Sequence, residues 1–141
     1  MSIELVVYVL TALAAVVVVL TRVRLGGDDG GAGRVEVGNA LLNAHTVAGT
    51  LALVCWVVYL FAEEDTPLGG ALTGIIAVSL WWVTAVIGLL VLVRWLPSRG
   101  KHATEAREDS WSEGPGLSLL AHLGMVAGVL VFTYAYAETL V

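Results

Sequence analysis

Charge is the scarcest commodity in this chain of 141 residues: Asp, Glu, Lys and Arg together make up 13% of it, against 58% apolar residues. An ordinary soluble domain carries about 25% charged residues. Half that amount cannot cover a soluble surface, which excludes a soluble enzyme, a disordered tail and a nucleic-acid binder. Cysteine is nearly absent as well. Cys55 is the single one, so no internal disulfide forms; it sits in an apolar run and reads as a small packing residue. No Lys or Arg precedes Arg22, whereas a secretory signal opens with a basic region. The first apolar run is therefore expected to be a retained helix rather than a cleaved signal.

Motifs of catalysis are missing too. There is no phosphate-binding Walker loop, dinucleotide glycine fingerprint or HExxH, and no defensible nucleophile–base pair. The long apolar runs hold no carboxylate, Lys or Arg, which an ion pump or a transporter of charged substrates usually needs.

What is present is four long runs free of Asp, Glu, Lys and Arg: Leu5–Thr21 with 17 residues, Val37–Ala62 with 26, Thr66–Val93 with 28 and Gly114–Ala137 with 24. A membrane-spanning helix takes roughly 20 mostly apolar residues. Buried helices of a soluble bundle would show a polar face, and these runs have none. The expected fold class is all-α, a polytopic four-helix transmembrane bundle in one domain, with spans of about 3–23, 37–62, 66–93 and 116–138. The connections are short: a Gly/Asp-rich turn at Gly26–Gly31, Glu63-Glu64-Asp65 followed by Thr66-Pro67, and the stretch Arg94–Glu113. Short connections favour antiparallel neighbours and an up-down-up-down topology.

All seven basic residues fall on one side. Arg22, Arg24 and Arg34 are in the first connection; Arg94, Arg99, Lys101 and Arg107 are in the third. The other side is purely acidic, with Glu4, Glu63, Glu64, Asp65 and Glu138. Loops rich in Lys and Arg stay in the cytoplasm. The expected localisation is a multi-pass plasma-membrane protein with loops 22–36 and 94–113 cytoplasmic and both termini outside. Trp95 and Trp111 at the basic side, and Tyr59, Phe61 and Tyr136 at the acidic side, suit interface anchoring. The cytoplasmic loops balance their bases with acids such as Asp28, Glu105 and Asp109, so they form no polybasic surface for lipid headgroups or nucleic acid.

Lipid gives helices no hydrophobic reason to associate, so small residues at contacts matter. Gly70/Gly74 and Gly124/Gly128 are small-xxx-small pairs, and Gly49 and Ala52 share a face with His45. Such glycines serve plain helix–helix contact or make room for a flat cofactor. Trp81-Trp82, near the middle of the third run, are bulky core packing or a pocket wall.

Three histidines remain. His102 is a loop residue with no role assigned. His45 and His122 lie inside apolar runs, where an ionisable side chain is a functional candidate. His45 is about 12 Å of helix rise past Val37, and His122 about 9 Å past Gly116. Both helices run the same way, so the two imidazoles come to a similar depth. Three readings stay open: polar interhelical contacts hydrogen-bonded to a carbonyl or hydroxyl, axial ligands of one haem b, or a proton relay. A haem ligand needs its other ring nitrogen held by an acceptor. The carbonyls of Leu41 and Ser118 are candidates, with Asn43 and Thr46 near His45. Another metal is disfavoured because no carboxylate or thiol lies at that depth; Cys55 is nearer the other side.

The stretch Arg94–His102, then Asp109-Ser110-Trp111 and Leu120–Met125, resembles small four-helix integral membrane proteins of actinobacteria, a class that carries no reaction with it. More loosely, one His on each of two like-directed helices resembles b-type cytochrome bundles, including the four-helix b561-like proteins. Those dihaem proteins hold two histidine pairs and this chain offers one. The resemblance therefore implies a single haem near the cytoplasmic face. The lack of catalytic residues and the small size point to an accessory or structural membrane protein, a subunit of a larger assembly; the alternative is a b-type haem redox module with His45 and His122 as ligands.

Overall fold

In a computed structural model of the protein, residues 2–25, 39–63, 65–66, 68–95 and 115–141 are described. They form four helices: α1 (Ile3–Leu25), α2 (Asn39–Phe61), α3 (Ala71–Trp95) and α4 (Pro115–Ala137). All four are long and apolar enough to cross a membrane, with spans Ile3–Val23, Asn39–Phe61, Ala71–Val93 and Ser118–Ala137. The chain is thus a multi-pass helical membrane protein, and no strand occurs among the described residues. The loops with Arg34, Arg99, Lys101, His102, Arg107 and Trp111 lie outside the described residues, as do the side chains of Arg24, Arg94 and Trp95.

Each helix packs against its two neighbours in chain order, and α4 closes the ring against α1. The backbones of the diagonal pairs, α1 with α3 and α2 with α4, do not touch. That is the expected up-down-up-down square. Apolar side chains cover the outside: Leu72, Val93, Val23 and Phe61 are each about 70% exposed. Only a lipid surround makes such a surface inexpensive, because lipid tails are as apolar as the side chains.

The third helix starts later than the hydropathy implies. The run from Thr66 becomes helical only at Ala71. Thr66 caps a turn instead: its hydroxyl donates to the Glu63 carbonyl (2.7 Å) and accepts from the Gly69 amide (3.1 Å). Gly69 packs so closely on this turn that a Cβ would run into the Glu63 carbonyl. The amides of Thr73 and Gly74 then donate back to the Gly70 carbonyl, which opens the helix.

At its far end α4 closes with Thr139 in the left-handed region (φ 50°) and the Leu140 amide donating to the Ala135 carbonyl (2.9 Å). This six-to-one bond is a Schellman closure. It turns the C-terminal residues back over the bundle, where the Val141 carbonyl accepts from the Tyr59 hydroxyl (3.0 Å). Tyr136 likewise donates to the Ala71 carbonyl (2.9 Å), pinning α4 to the start of α3.

The half of the core nearer the acidic end is aromatic. Trp56, Trp81 and Phe132 are fully buried, with centroids 4.9 Å (Trp56–Phe132) and 5.7 Å (Trp81–Phe132) apart. Tyr59 and Tyr136 extend this cluster toward the acidic end, their centroids 5.6 Å apart. Gly74 admits the Tyr136 and Tyr59 rings, so this glycine serves packing. Two indole N–H groups are used as interhelical ties. Trp56 donates to Thr11 of α1 and Trp82 to Thr133 of α4, both at 3.1 Å. Cys55 is half-buried against the same core, as expected for a packing residue.

Candidate functional site

Beyond the aromatic layer, toward the end that carries loops 26–38 and 96–114, the bundle axis is occupied by His45 and His122. Both are buried, at 3% and 7% exposure. The diagonal placement of α2 and α4 leaves one ring from each helix pointing at the other across the centre. The ring centroids are 6.2 Å apart and the planes are inclined by 45°. Thus the two histidines that the sequence set at one depth are brought together. The faces that carry them are inward ones: Leu42, Ala48, Gly49 and Ala52 on α2, and Met125, Val129 and Phe132 on α4, are all buried.

The hydrogen bonds of the pair are lopsided. His122 Nδ1 donates to the Ser118 carbonyl at 2.8 Å, the acceptor four residues earlier that the helix geometry provides. A carbonyl cannot donate, so Nδ1 carries the proton, and Nε2 of the neutral ring keeps its lone pair. That Nε2 is buried with no hydrogen-bond partner. His45 differs from expectation. Its Nδ1 is also buried and unpartnered, so the Leu41 carbonyl does not hold it. The neighbours are committed elsewhere: Thr46 donates to the Leu42 carbonyl (2.9 Å), and the Asn43 side-chain oxygen accepts from Arg22 (2.7 Å). A buried polar atom without a partner costs roughly 1–3 kcal/mol. Among the described residues, the buried side-chain nitrogens without a partner are these two and the indole N–H of Trp81.

The third wall of the site was not foreseen. Gly88 of α3 faces both rings; a Cβ there would lie 2.9 Å from His122 Cδ2, 3.3 Å from His45 Nε2 and 3.5 Å from His122 Nε2. Both Nε2 atoms therefore converge on one point beside a backbone that has no side chain. Counting helix rise from the basic end places Gly88 at the histidine level, and that count was the available signal. Val17 and Val18 of α1, with Thr84 and Ala85 of α3, complete the enclosure, which is too narrow for a water molecule.

Beside it, between α1 and α4, runs a cleft of about 580 Å³ with an almost wholly apolar lining; His122 is part of its wall. Gly124 and Gly128 line it, and a Cβ at either would meet nothing within 4 Å. This pair is therefore not a helix–helix contact, unlike Gly49, whose Cβ would meet Val18 at 2.8 Å.

The spacing of the two rings is that of imidazoles facing across one metal, whereas the gap between them as it stands is too narrow for a macrocycle. With metal–nitrogen bonds of about 2 Å, imidazoles on opposite sides of one metal stand with ring centres roughly 6 Å apart. No group of three or more His, Cys, Asp or Glu able to hold a bare ion occurs among the described residues. Two neutral nitrogens in an apolar bundle instead suit an ion that brings its own equatorial ligands, as haem iron does. No family model, curated protein or solved structure matches this chain.

Proposed function

We propose that this small integral membrane protein is a one-electron redox subunit that holds a single b-type haem between His45 and His122. The observation that carries the reading is the facing pair itself: two buried rings on diagonal helices, 6.2 Å between centroids, with a lone-pair nitrogen of His122 lacking any partner. A haem supplies reversible one-electron chemistry at a potential set by its axial ligands and the polarity around them.

The chain's own residues have three tasks in this reading. Ser118 fixes the His122 tautomer through its carbonyl, presenting Nε2 as a ligand and raising its basicity. Gly88 withholds a side chain where both Nε2 atoms converge. The aromatic layer of Trp56, Trp81 and Phe132 seals the site from the acidic end and keeps water out. With the basic loops in the cytoplasm, the pair lies nearer the cytoplasmic face of the plasma membrane. One pair at one level carries no electron across the bilayer unaided, so the protein acts as an accessory subunit of a larger membrane assembly.

The test is the absorption spectrum of detergent-purified protein, oxidised and reduced, after expression with ample haem. A Soret band with sharp reduced α and β bands is expected, lost in His45→Ala and in His122→Ala. His122→Met should keep a band at a shifted position. A wild-type protein with no Soret band overturns the reading. A structural role for the pair is favoured by one observation, the narrowness of the gap between the rings. In that case the protein is colourless, and both Ala variants lose thermal stability without any spectral change.

A further inference from the structure

The rings of His45 and His122 have the spacing of ligands to one metal, 6.2 Å between centroids, yet the space around them admits no water molecule. A gap that excludes both water and a macrocycle still has room for a bare ion, one that arrives without solvent or equatorial ligands.

The pair is not explained by a hydrogen bond of its own. His122 Nε2 has no hydrogen-bond partner, so His45 does not donate to it. The His122 proton is on Nδ1, held by the Ser118 carbonyl, which leaves the Nε2 lone pair free. His45 Nε2 comes to the same point beside Gly88. Both side chains are more than nine-tenths buried. An unused lone pair is thus aimed into a dry enclosure at another ring nitrogen, an arrangement that a cation between the two relieves.

A third donor stands in the same enclosure. Met125 lines it beside both histidines and is 8% exposed. It follows His122 by three residues, which puts the two side chains on one face of α4.

These donors select the ion. Two neutral imidazoles and a thioether carry no charge, and no group of three or more His, Cys, Asp or Glu occurs among the described residues. A zinc ion here would lack its four ligands and keep a double charge uncompensated in an apolar core. Copper(I) carries a single charge, and thioether and imidazole donors suit it. Its filled d shell sets no preferred twist between the rings, so their 45° inclination costs nothing.

We propose that His45, His122 and Met125 hold one copper(I) ion, with the two Nε2 atoms on opposite sides of it and the Met125 sulfur as a third, weaker donor. The site uses the nitrogens of the haem reading but does not rest on that reading. Haem requires the rings to part, copper(I) takes the bundle as it stands, and one molecule holds one or the other.

The probe is copper(I) itself, supplied under nitrogen with hydroxylamine as reductant to the detergent-purified full chain, free of haem and carrying Cys55→Ala. That substitution removes the only thiol and leaves Met1 as the only sulfur besides Met125. Competition with bicinchoninate gives stoichiometry and affinity, and X-ray absorption gives the ligands. One copper per chain is expected, bound by two nitrogens and one sulfur. His45→Ala and His122→Ala should each weaken it at least about a hundredfold, equivalent to about 2.7 kcal/mol. Met125→Leu, which conserves volume, should weaken it about tenfold and remove the sulfur, while leaving any Soret band of haem-loaded protein unchanged. Should the histidine variants lose their helical content by far-ultraviolet circular dichroism, Gly88→Ala takes their place. Its methyl group sits where the Nε2 atoms converge and should weaken copper at least about tenfold.

No copper uptake, or uptake unchanged in a His45→Ala/His122→Ala double variant, overturns the site. So does a first shell without sulfur that Met125→Leu leaves unaltered. The copper and haem readings fail separately. A bis-histidine Soret band in a protein that does not compete for copper(I) overturns the copper site and leaves the haem reading standing. One copper per chain in a protein that takes up no haem supports the copper site and overturns the haem reading.

Discussion

Gly88 lies flush against the ring of His122: a Cβ at position 88 would stand 2.9 Å from Cδ2 of that ring, closer than such carbons pack. The ring is also tied by its Nδ1 to the Ser118 carbonyl, so it cannot simply swing aside without losing that bond. This contact makes position 88 a probe of the site that leaves both histidines in place.

Gly88→Ala is expected to leave the bundle close to its wild-type stability while damaging the site. Overpacking costs about 1–3 kcal/mol, and replacing a helical glycine by alanine returns about 1 kcal/mol. The net change in unfolding free energy should be within about 2 kcal/mol by these figures. The change at the rings is larger in kind, because the added methyl sits where both Nε2 atoms converge. Haem retention should fall at least about tenfold. Wild-type haem retention together with wild-type stability in Gly88→Ala would show that nothing is held at that point.

The four helices and their square arrangement were legible in the sequence for one reason. In a bilayer every backbone group must be satisfied within the segment, so length and apolarity decide the element almost alone. The same reasoning misplaces the start of α3. Leu68, Gly69 and Gly70 count as apolar, yet Gly69 and Gly70 serve a turn in which Thr66 bonds to Glu63. Hydropathy has no means of separating apolar turn residues from apolar helix residues.

The depth of His45 and His122 was legible from helix rise, and so was the Ser118 acceptor, because a carbonyl four residues back is fixed by helix geometry. Which donor takes which acceptor was not. Asn43 accepts from Arg22, on another helix, and Thr46 turns back to Leu42. Neither choice is written in local spacing. The open face of Gly124 and Gly128 was equally hidden, since a small-xxx-small pair has the same sequence whether a helix or a cleft lies opposite.

Trp56 and Trp81 are both fully buried, but Trp56 donates its N–H to Thr11 and Trp81 donates to nothing. Replacing either by Phe removes a similar volume. Trp56→Phe also discards a hydrogen bond worth about 0.5–1.5 kcal/mol, whereas Trp81→Phe discards an unsatisfied donor that costs roughly 1–3 kcal/mol. Trp56→Phe is therefore expected to be the more destabilising by at least about 1 kcal/mol. Unfolding in mixed micelles measures the order, and equal losses would mean that the Trp81 indole has found a partner.

The Trp82–Thr133 bond ties α3 to α4 at 3.1 Å, on the partly lipid-exposed side of the bundle. A double-mutant cycle with Trp82→Phe and Thr133→Val should give a coupling of about 0.6 kcal/mol, the usual size for interhelical hydrogen bonds in membranes, with a ceiling near 1.7 kcal/mol. Zero coupling would assign the helix pair's association to packing alone.

The charge distribution predicts the orientation of the bundle, and a labelling experiment tests it directly. Every Lys and Arg of the chain lies in the first or third connection or in the helix end that leads into it, and the acidic residues Glu4, Glu63, Asp65 and Glu138 mark the opposite end. Cytoplasmic retention of basic loops then places residue 2 outside and residue 110 inside. Cys55 must first be removed, and Cys55→Ala is expected to be tolerated because that side chain is only half-buried and makes no disulfide. In that background, Ser2→Cys should react with a membrane-impermeant maleimide on intact cells, and Ser110→Cys should react only after the membrane is opened. Reaction at 110 but not at 2 would invert the bundle and put the histidine pair near the outer face. Reaction at both without permeabilisation would mean that an even number of helices crosses the membrane between them, not the three the bundle places there.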